Sequence, residues 1–205
     1  MTPSLAVADP VTANRPLLVI IGPSACGKSS VVRELQRRRV IRVHPTWTTR
    51  PRRADEGRRC VQHRFVSERA FDRVCARRFF VDTVQPFGLP YRYGLPAISI
   101  APAGPLDAVM VRAPLVTRMA ELVPACLVYQ IADMAERSAR RLAARGSTAE
   151  DVAARLDDNR QEMAAGRLVA HRVFVNNGPL TTLVDQLVAC LALDVPAPIT
   201  DGGGA

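Results

Sequence analysis

The stretch that decides the fold is Leu17-Leu18-Val19-Ile20-Ile21, followed at once by Gly22-Pro23-Ser24-Ala25-Cys26-Gly27-Lys28-Ser29. The five apolar residues are typical of a strand that is buried on both faces of a parallel sheet. The next eight match the pattern G-x-x-x-x-G-K-S, in which glycines let backbone N–H groups turn inward around phosphate oxygens. A helix is predicted over residues 29–39, and its N-terminus adds positive potential at the same point. The stretch therefore predicts a strand, a phosphate-binding loop (P-loop) and a helix that hold the phosphates of ATP or GTP.

Two side chains of the P-loop are expected to take part in chemistry. Lys28 is predicted to reach the β- and γ-phosphates, and Ser29 to ligate Mg²⁺. Lys28 is the only lysine of the chain, which otherwise uses arginine. A compact ammonium on a flexible stem can follow a phosphoryl group as it moves, whereas a guanidinium fork is rigid. The residues of this loop predicted to contact the nucleotide are Gly22, Pro23, Ser24, Ala25, Cys26, Gly27, Lys28, Ser29 and Ser30.

The composition favours one folded α/β domain. The chain has 205 residues, of which 48% are hydrophobic, so a sizeable core can form. No apolar run approaches the ~20 residues of a membrane span, and no signal peptide is recognisable. The domain is predicted over residues 16–195, with a flexible leader over 1–15 and a flexible Pro/Gly tail over 196–205.

The five cysteines show no metal-ligand spacing, and their odd number argues against a full disulfide framework. Reduced thiols in a cytoplasmic protein are the simplest interpretation. Cys26, inside the P-loop, is interpreted as a small apolar filler, with a redox-sensitive thiol as the alternative.

Strands alternate with helices along the rest of the chain. Helices are predicted over 134–145 and 180–193, and another begins at the capping-box sequence Ser147-Thr148-Ala149-Glu150. Residues 47–96 have a looser pattern and are predicted to form a small acceptor-binding insertion. The alternation predicts a three-layer α/β fold, with helices on both faces of a mostly parallel sheet. Further buried strands are predicted over 40–43, 108–111, 125–131 and 173–175.

The positive charge is concentrated in one segment. The net charge is +9, and residues 41–80 contribute +7 of it, with eleven arginines against four acidic residues. Such a segment could bind nucleic acid or a phosphorylated small molecule. The small-molecule pocket is favoured, because arginine forks match phosphate oxygens bidentately.

The same segment carries a recognisable pattern. It reads Thr46-Trp47-Thr48-Thr49-Arg50-Pro51-Arg52-Arg53, then Glu56-Gly57, then His63-Arg64-Phe65-Val66-Ser67. This pattern resembles that of guanylate kinases, which have a T-T-R-x-x-R run, an acidic-glycine turn and an aromatic-x-Phe-Val-Ser stretch. The resemblance runs over about residues 17–193 and is weak between about 83 and 119.

The resemblance implies a set of acceptor-binding residues. Arg50 and Arg53 match two arginines that bind the acceptor monophosphate, and His63 and Tyr93 match two phosphate-binding tyrosines. Thr46 would contact guanine. The remaining member of the set is Asp82, which matches the glutamate that accepts hydrogen bonds from guanine N1 and N2.

The resemblance also implies a lid over residues 141–160. Its arginines Arg141, Arg145, Arg155 and Arg160 match a family segment that closes over the transferring phosphoryl group. The first three, with Lys28, are expected to be catalytic, although a solvated helix face is an alternative. Asn176 matches a loop on the adenine side, with a simple turn as the alternative.

The pattern departs from the family on the side that reads the base. The family carries an acidic pair where this chain reads Val111-Arg112-Ala113-Pro114, and Leu95 stands where a small hydroxyl residue touches the base. Ribose 1,5-bisphosphate phosphokinases have a similar scaffold and similarly lack those acids. Their acceptor carries phosphate but no base.

Three functions follow from these residues and resemblances. The favoured one is transfer of the γ-phosphoryl group from Mg²⁺–ATP to GMP or a related nucleoside monophosphate. A ribose 1,5-bisphosphate phosphokinase and a catalytically silent binding module are the alternatives. The expected protein works on small molecules as a monomer or homodimer, without nucleic acid or a membrane.

Overall fold

The computed structural model describes residues 15–53, 56–57, 60–85, 90–123, 125–144 and 146–195. The predicted tail, the predicted leader up to residue 14, and Arg145 lie outside these ranges. The strands and helices in chain order are β1 (Leu17–Ile21), α1 (Lys28–Arg37), β2 (Ile41–His44), β3 (Thr46–Thr48), β4 (His63–Phe65), α2 (Glu68–Ala76), β5 (Phe80–Val84), β6 (Tyr93–Pro96), β7 (Leu106–Met110), α3 (Pro114–Leu122), β8 (Cys126–Ala132), α4 (Ala135–Ala143), α5 (Ala149–Val169), β9 (Arg172–Val175) and α6 (Leu180–Asp194).

Five parallel strands form the main sheet, in the order β2-β7-β1-β8-β9. The central strand β1 is buried along its whole length, as its unbroken apolar run predicts. Its carboxyl end lies beside those of β7 and β8, since Ile20 pairs with Met110 on one side and with Tyr129 on the other. Residues that follow these three strands therefore meet at one edge, where open α/β sheets bind their ligands.

The core lies on both faces of this sheet. Leu18 and Ile20 point into a cluster with residues of α1 and α6, such as Leu35 and Leu187. The alternate residues of β1 point into a second cluster that includes Met119 of α3. Each fully buried side chain of this size stabilises the fold by about 1.5–3 kcal/mol. The predicted three-layer α/β fold, with helices on both faces of a parallel sheet, is confirmed.

A second, mixed sheet spans residues 46–96 in the strand order β4-β3-β6-β5. The strands β3 and β4 run parallel, whereas β6 is antiparallel to both β3 and β5. Its own small core is aromatic. The ring centroid of Phe80 lies 4.8 Å from that of Phe71 and 5.6 Å from that of Trp47. This sheet occupies the segment predicted as an insertion.

None of the described helices combines the length and the apolar character that crossing a bilayer requires.

Candidate active site

The P-loop wraps around the side chain of its own lysine. The backbone takes positive φ angles at Gly22 (139°), Ala25 (64°) and Gly27 (101°). The Nζ of Lys28 donates hydrogen bonds to the carbonyl oxygens of Gly22 and Pro23, each at 2.6 Å. The ammonium group is thereby held over the loop where phosphates are expected.

Glycine is needed at Gly22 for reasons of space as well as of dihedral angle. A Cβ placed there would overlap the backbone carbonyl of Ile131 on β8. A backbone group inside a packed sheet cannot move aside, so the loop can pass this close to β8 only without a side chain.

Side chains from distant elements fix the peptide groups of the loop from outside. The Nδ2 of Asn176, just after β9, donates to the carbonyl of Cys26 at 2.7 Å. The amide of Asn159, on α5, bonds Ser24 twice, accepting from its N–H at 2.7 Å and donating to its carbonyl at 3.1 Å. Because these loop groups are bonded from outside, the loop is held in shape before any nucleotide binds.

Arg141, a residue of the predicted lid, reaches the same loop. Its Nη1 donates to the carbonyl of Ala25 at 2.7 Å and to Oδ2 of Asp133 at 3.1 Å. The Asp133 side chain is fully buried, and this burial raises its pKa despite the opposing charge of Arg141. Arg141 therefore supports the loop from behind, which is a contact the sequence did not predict.

One cavity joins the P-loop to the second sheet. Its walls combine most of the predicted phosphate-binding residues with a few that were not predicted. The lining residues are Gly22, Ser24, Ala25, Gly27, Lys28, Ser29, Ser30, Thr46, Arg50, Arg53, Glu56, His63, Tyr91, Tyr93, Met110, Val111, Arg112, Leu115 and Arg155. Predicted donor-side and acceptor-side residues therefore share one cavity.

The acceptor end of the cavity is built around a buried ion pair. The guanidinium of Arg50 binds both carboxylate oxygens of Glu56, at 2.6 and 2.9 Å. Glu56 also accepts from the backbone N–H of Arg53 at 2.9 Å. Burial acts to raise the pKa of Glu56, but these bonds outweigh it and hold that pKa below its usual value. Glu56 therefore fixes the orientation of the Arg50 fork, a role that the sequence did not predict.

His63 is neutral at the acceptor end. Burial, and then the charge of Arg50, lower its pKa to about 4. Its Nδ1 lies 2.9 Å from the hydroxyl of Thr46, and its ring centroid is 5.9 Å from that of Tyr93. The hydroxyl of Thr46 is thus already bonded within the site, and His63 can serve there as a hydrogen-bonding group and not as a cation.

Outside the cavity lining lie five predicted site residues, namely Pro23, Cys26, Asp82, Arg141 and Asn176, and the predicted lid residue Arg160. Asp82 sits on β5, where its Oδ1 accepts from the N–H of Thr83 at 2.7 Å. Val84, two residues further along β5, pairs with Tyr93. Because every second residue of a strand points to the same side, Asp82 and Tyr93 share a face of the sheet. Arg141 and Asn176 contact the P-loop from behind, as described above. Arg160 is exposed on α5 and pairs with Asp157, away from the cavity.

The cavity lining includes Arg112, which belongs to an ion-pair cluster that the sequence did not predict. The guanidinium of Arg112, just after β7, binds both oxygens of Asp158 at 2.8 Å. Its Nε donates to Glu162 at 3.0 Å, and Glu162 also accepts from the N–H of Ala113 at 2.8 Å. The Glu162 side chain is only 1% exposed. An arginine stands here between two carboxylates, at the position where the resembling family carries acids.

The carboxylates of this cluster belong to a polar stripe on helix α5. Arg155, Asp158, Asn159 and Glu162 are spaced i, i+3, i+4 and i+7, so they lie on one helix face. That face is directed at the P-loop and the cavity, and it is polar instead of apolar. A polar i, i+3, i+4, i+7 pattern was the sequence signal that could have identified it.

These features define a P-loop phosphotransferase, with a phosphate loop at one end of a cavity and, at the other, the arginines predicted to bind the acceptor. No protein-family model matches the chain. The chain is 31% identical over 187 residues to the guanylate kinase of Thermobifida fusca (strain YX), a match that covers 86% of this chain and 90% of that relative. The protein therefore belongs to the guanylate kinase family.

A solved structure supports the fold independently. The crystal structure of guanylate kinase from Anaplasma phagocytophilum matches with a TM-score of 0.68 at 19% sequence identity, covering 90% of this chain and 88% of that one. The family, the fold and the phosphotransferase class predicted from the sequence are thus confirmed.

Proposed function

We propose that the protein transfers the γ-phosphoryl group of ATP to GMP, forming ADP and GDP. The observation that carries the proposal is the single cavity that joins Lys28 and the P-loop to Arg50 and Arg53. In-line transfer needs donor and acceptor phosphates side by side, and one cavity lined by both binding sites provides that.

At the donor end, the P-loop binds the ATP phosphates through its backbone N–H groups and Lys28. Among the described residues, no cluster of three His, Cys, Asp or Glu side chains could hold a metal ion. That fits Mg²⁺, which is usually bound by substrate phosphates, waters and one or two protein oxygens. Ser29, which lines the cavity, would hold the Mg²⁺ that neutralises phosphate charge in such sites.

At the acceptor end, the GMP phosphate would bind Arg50 and Arg53. Glu56 already orients the Arg50 fork, so the side chain does not have to be ordered when the substrate binds. Tyr93 and the neutral His63 complete this end with hydrogen bonds. Two guanidiniums next to one carboxylate leave the net positive charge that a phosphate dianion requires.

Transfer itself requires positive charge around the moving phosphoryl group. Lys28 and Arg155 both line the cavity and would stabilise that group directly. Arg141 acts through the loop in this arrangement, because it bonds the Ala25 carbonyl. No covalent intermediate is needed, since positioning and charge neutralisation suffice. Asp82 would read guanine N1 and N2 once the base lies against the face that it shares with Tyr93.

One observation favours a second candidate, a ribose 1,5-bisphosphate phosphokinase. Arg112 lines the cavity, and its guanidinium could bind a second acceptor phosphate there. Its guanidinium is, however, bound by two carboxylates, so the cluster carries net negative charge. This charge disfavours a second phosphate, and GMP remains the preferred acceptor.

A coupled assay of ADP release tests the proposal. The purified protein is offered GMP, dGMP, AMP and ribose 1,5-bisphosphate in turn, each with ATP and Mg²⁺, and Lys28→Met serves as the inactive control. We expect turnover with GMP and much less with AMP. Turnover only with ribose 1,5-bisphosphate would move the protein to the second candidate, and ATP binding without any transfer would identify a silent binding module.

A further inference from the structure

We propose that Arg112 is a positioning residue, whose ion pairs with Asp158 and Glu162 hold helix α5 so that Arg155 faces the transferring phosphoryl group. The inference rests on the phosphoryl transfer proposed above. Arg112 lines the cavity, but in this proposal it acts on the reaction through helix α5 and not by touching the substrates.

The first support is the geometry of the cluster. Arg112 is the second residue after β7, and the intervening Val111 donates its backbone N–H to the carbonyl of Ile20 on β1 at 3.2 Å, so this part of the backbone is fixed by the main sheet. Its fork holds Asp158 with two bonds of 2.8 Å, and its Nε holds Glu162 at 3.0 Å. Side-chain exposures of 23%, 11% and 1% for Arg112, Asp158 and Glu162 show that the pairs are largely shielded from water. Shielded bidentate pairs of this kind fix orientation as well as distance.

The second support is the placement of Arg155 on the same helix. Arg155 precedes Asp158 by three residues, so the two lie on one face about one turn apart. Arg155 lines the cavity, whereas Arg160 on the opposite side of the helix is exposed. The rotation of α5 about its axis decides which arginine reaches the substrates, and the cluster fixes that rotation.

The third support is the link to the P-loop. Asn159, next to Asp158, bonds both the N–H and the carbonyl of Ser24. Residues 158 to 162 of α5 thus connect Arg112 to the P-loop. Loss of Arg112 removes the bonds to Asp158 and Glu162, while the bonds of Asn159 to Ser24 remain. Helix α5 should therefore rotate away from its native orientation and still contact the P-loop.

A double-mutant cycle tests the proposal, with Arg112→Gln, Arg155→Gln and the double variant. Each single variant should lower kcat by between about 10- and 100-fold, because small misplacements of a transition-state group have costs of this order. KM for ATP and GMP should stay within about threefold, because neither residue is proposed to bind the ground-state substrates. The double variant should be no slower than Arg155→Gln alone, since Arg112 acts only through Arg155.

Controls separate positioning from stability and from direct contact. Arg118→Gln removes an exposed arginine of α3 that pairs with Glu121, and it should leave kcat unchanged. The exchanged pair Arg112→Asp with Asp158→Arg should recover much of the lost kcat. If Arg112→Gln lowers only the melting temperature, or raises KM for GMP with losses that multiply in the double variant, the proposal is overturned.

Amide hydrogen exchange tests the proposal where activity measurements cannot decide it. If Arg112→Gln does not fold, Asp158→Asn takes its place in the cycle. If the wild-type protein does not phosphorylate GMP, the proposed function fails by itself, and exchange within α5 decides the inference. Faster exchange of α5 amides in Arg112→Gln than in Arg118→Gln supports it, and equal exchange overturns it.

Discussion

The two ends of the cavity are built in different ways. At the donor end, the P-loop backbone forms the site, and glycines at Gly22 and Gly27 allow its unusual path. At the acceptor end, side chains form the site, and the fork of Arg50 is held by Glu56. A backbone-built site depends on local chain geometry, whereas a side-chain-built site depends on partners brought together by the fold.

This difference explains how each end can change. The donor end tolerates few substitutions, because most would alter the path of the loop. A site built from side chains can hold a different charge arrangement on the same backbone, and here Arg112, held by Asp158 and Glu162, stands where the family pattern has acids.

Replacing the lysine of the donor end should have the largest effect. Lys28→Met is expected to lower kcat by about 10³-fold, because one preorganised cation is lost from the transferring phosphoryl group. Lys28→Arg should fare little better, since a rigid fork cannot take the place of the ammonium. Steady-state kinetics with GMP measure both. The control Arg33→Met, at an exposed position of α1, should keep kcat within about twofold of the wild-type value. A similar kcat for Lys28→Met would show that Lys28 does not stabilise the transferring group.

Breaking the acceptor-end ion pair should have the next largest effect, confined to the acceptor. Arg50→Gln is expected to lower kcat/KM for GMP by about 10²-fold, because bonds from an ionised donor to a phosphate are lost. KM for ATP should not change. Arg52→Gln is the matched control: Arg52 is exposed and its guanidinium lies 4.4 Å from the Phe65 ring centre. Equal losses in both variants would mean that general positive charge, and not the oriented fork, attracts the acceptor.

Adding one methyl group at the donor end should reduce stability. Gly22→Ala is expected to lower the free energy of unfolding by about 2–3 kcal/mol, because φ is +139° and the new Cβ would overlap Ile131. Urea unfolding followed by Trp47 fluorescence measures this. A Cβ at Gly178 would meet nothing within 4 Å, so Gly178→Ala should be near neutral. Similar stabilities for the two variants would contradict a loop fixed by backbone crowding.

Acidification should reveal the buried histidine of the acceptor end. The folded-state pKa of His63 is about 4, whereas an unfolded histidine titrates near about 6.5. As pH falls through this window, only the unfolded state gains the proton, so the free energy of unfolding decreases. Between pH 7 and 4.5 the wild-type protein should lose about 2 kcal/mol more than His63→Gln. Parallel stability curves for the two proteins would show that folding does not lower the pKa of His63.

The sequence predicted the donor end closely because its signals are local. A helix expected over 29–39 is observed as Lys28–Arg37, and a strand expected over 40–43 as Ile41–His44. An apolar run, a glycine-rich turn and a helix start follow each other within twenty residues. Each of them constrains the backbone without help from the rest of the chain.

The contacts of helix α5 were predicted less well because their partners are distant in sequence. Arg112 was noticed as a departure from the family, but its partner Asp158 lies 46 residues further on. Ser24 and Asn159 are 135 residues apart. Such pairs form only when the sheet and α5 come together, and the polar periodicity of α5 indicates the face but not its partners. Helix α5 made this harder, because the face it turns to the protein is polar.

Lys28 has a practical consequence beyond its chemistry. Because it is the only lysine in these 205 residues, isotope labelling with ¹⁵N-lysine places one backbone probe in the whole chain, inside the P-loop. A single NMR signal would then report nucleotide arrival, with no assignment needed. Amine-directed acylation of side chains would likewise modify one position, and its protection by ATP would measure occupancy of the loop directly.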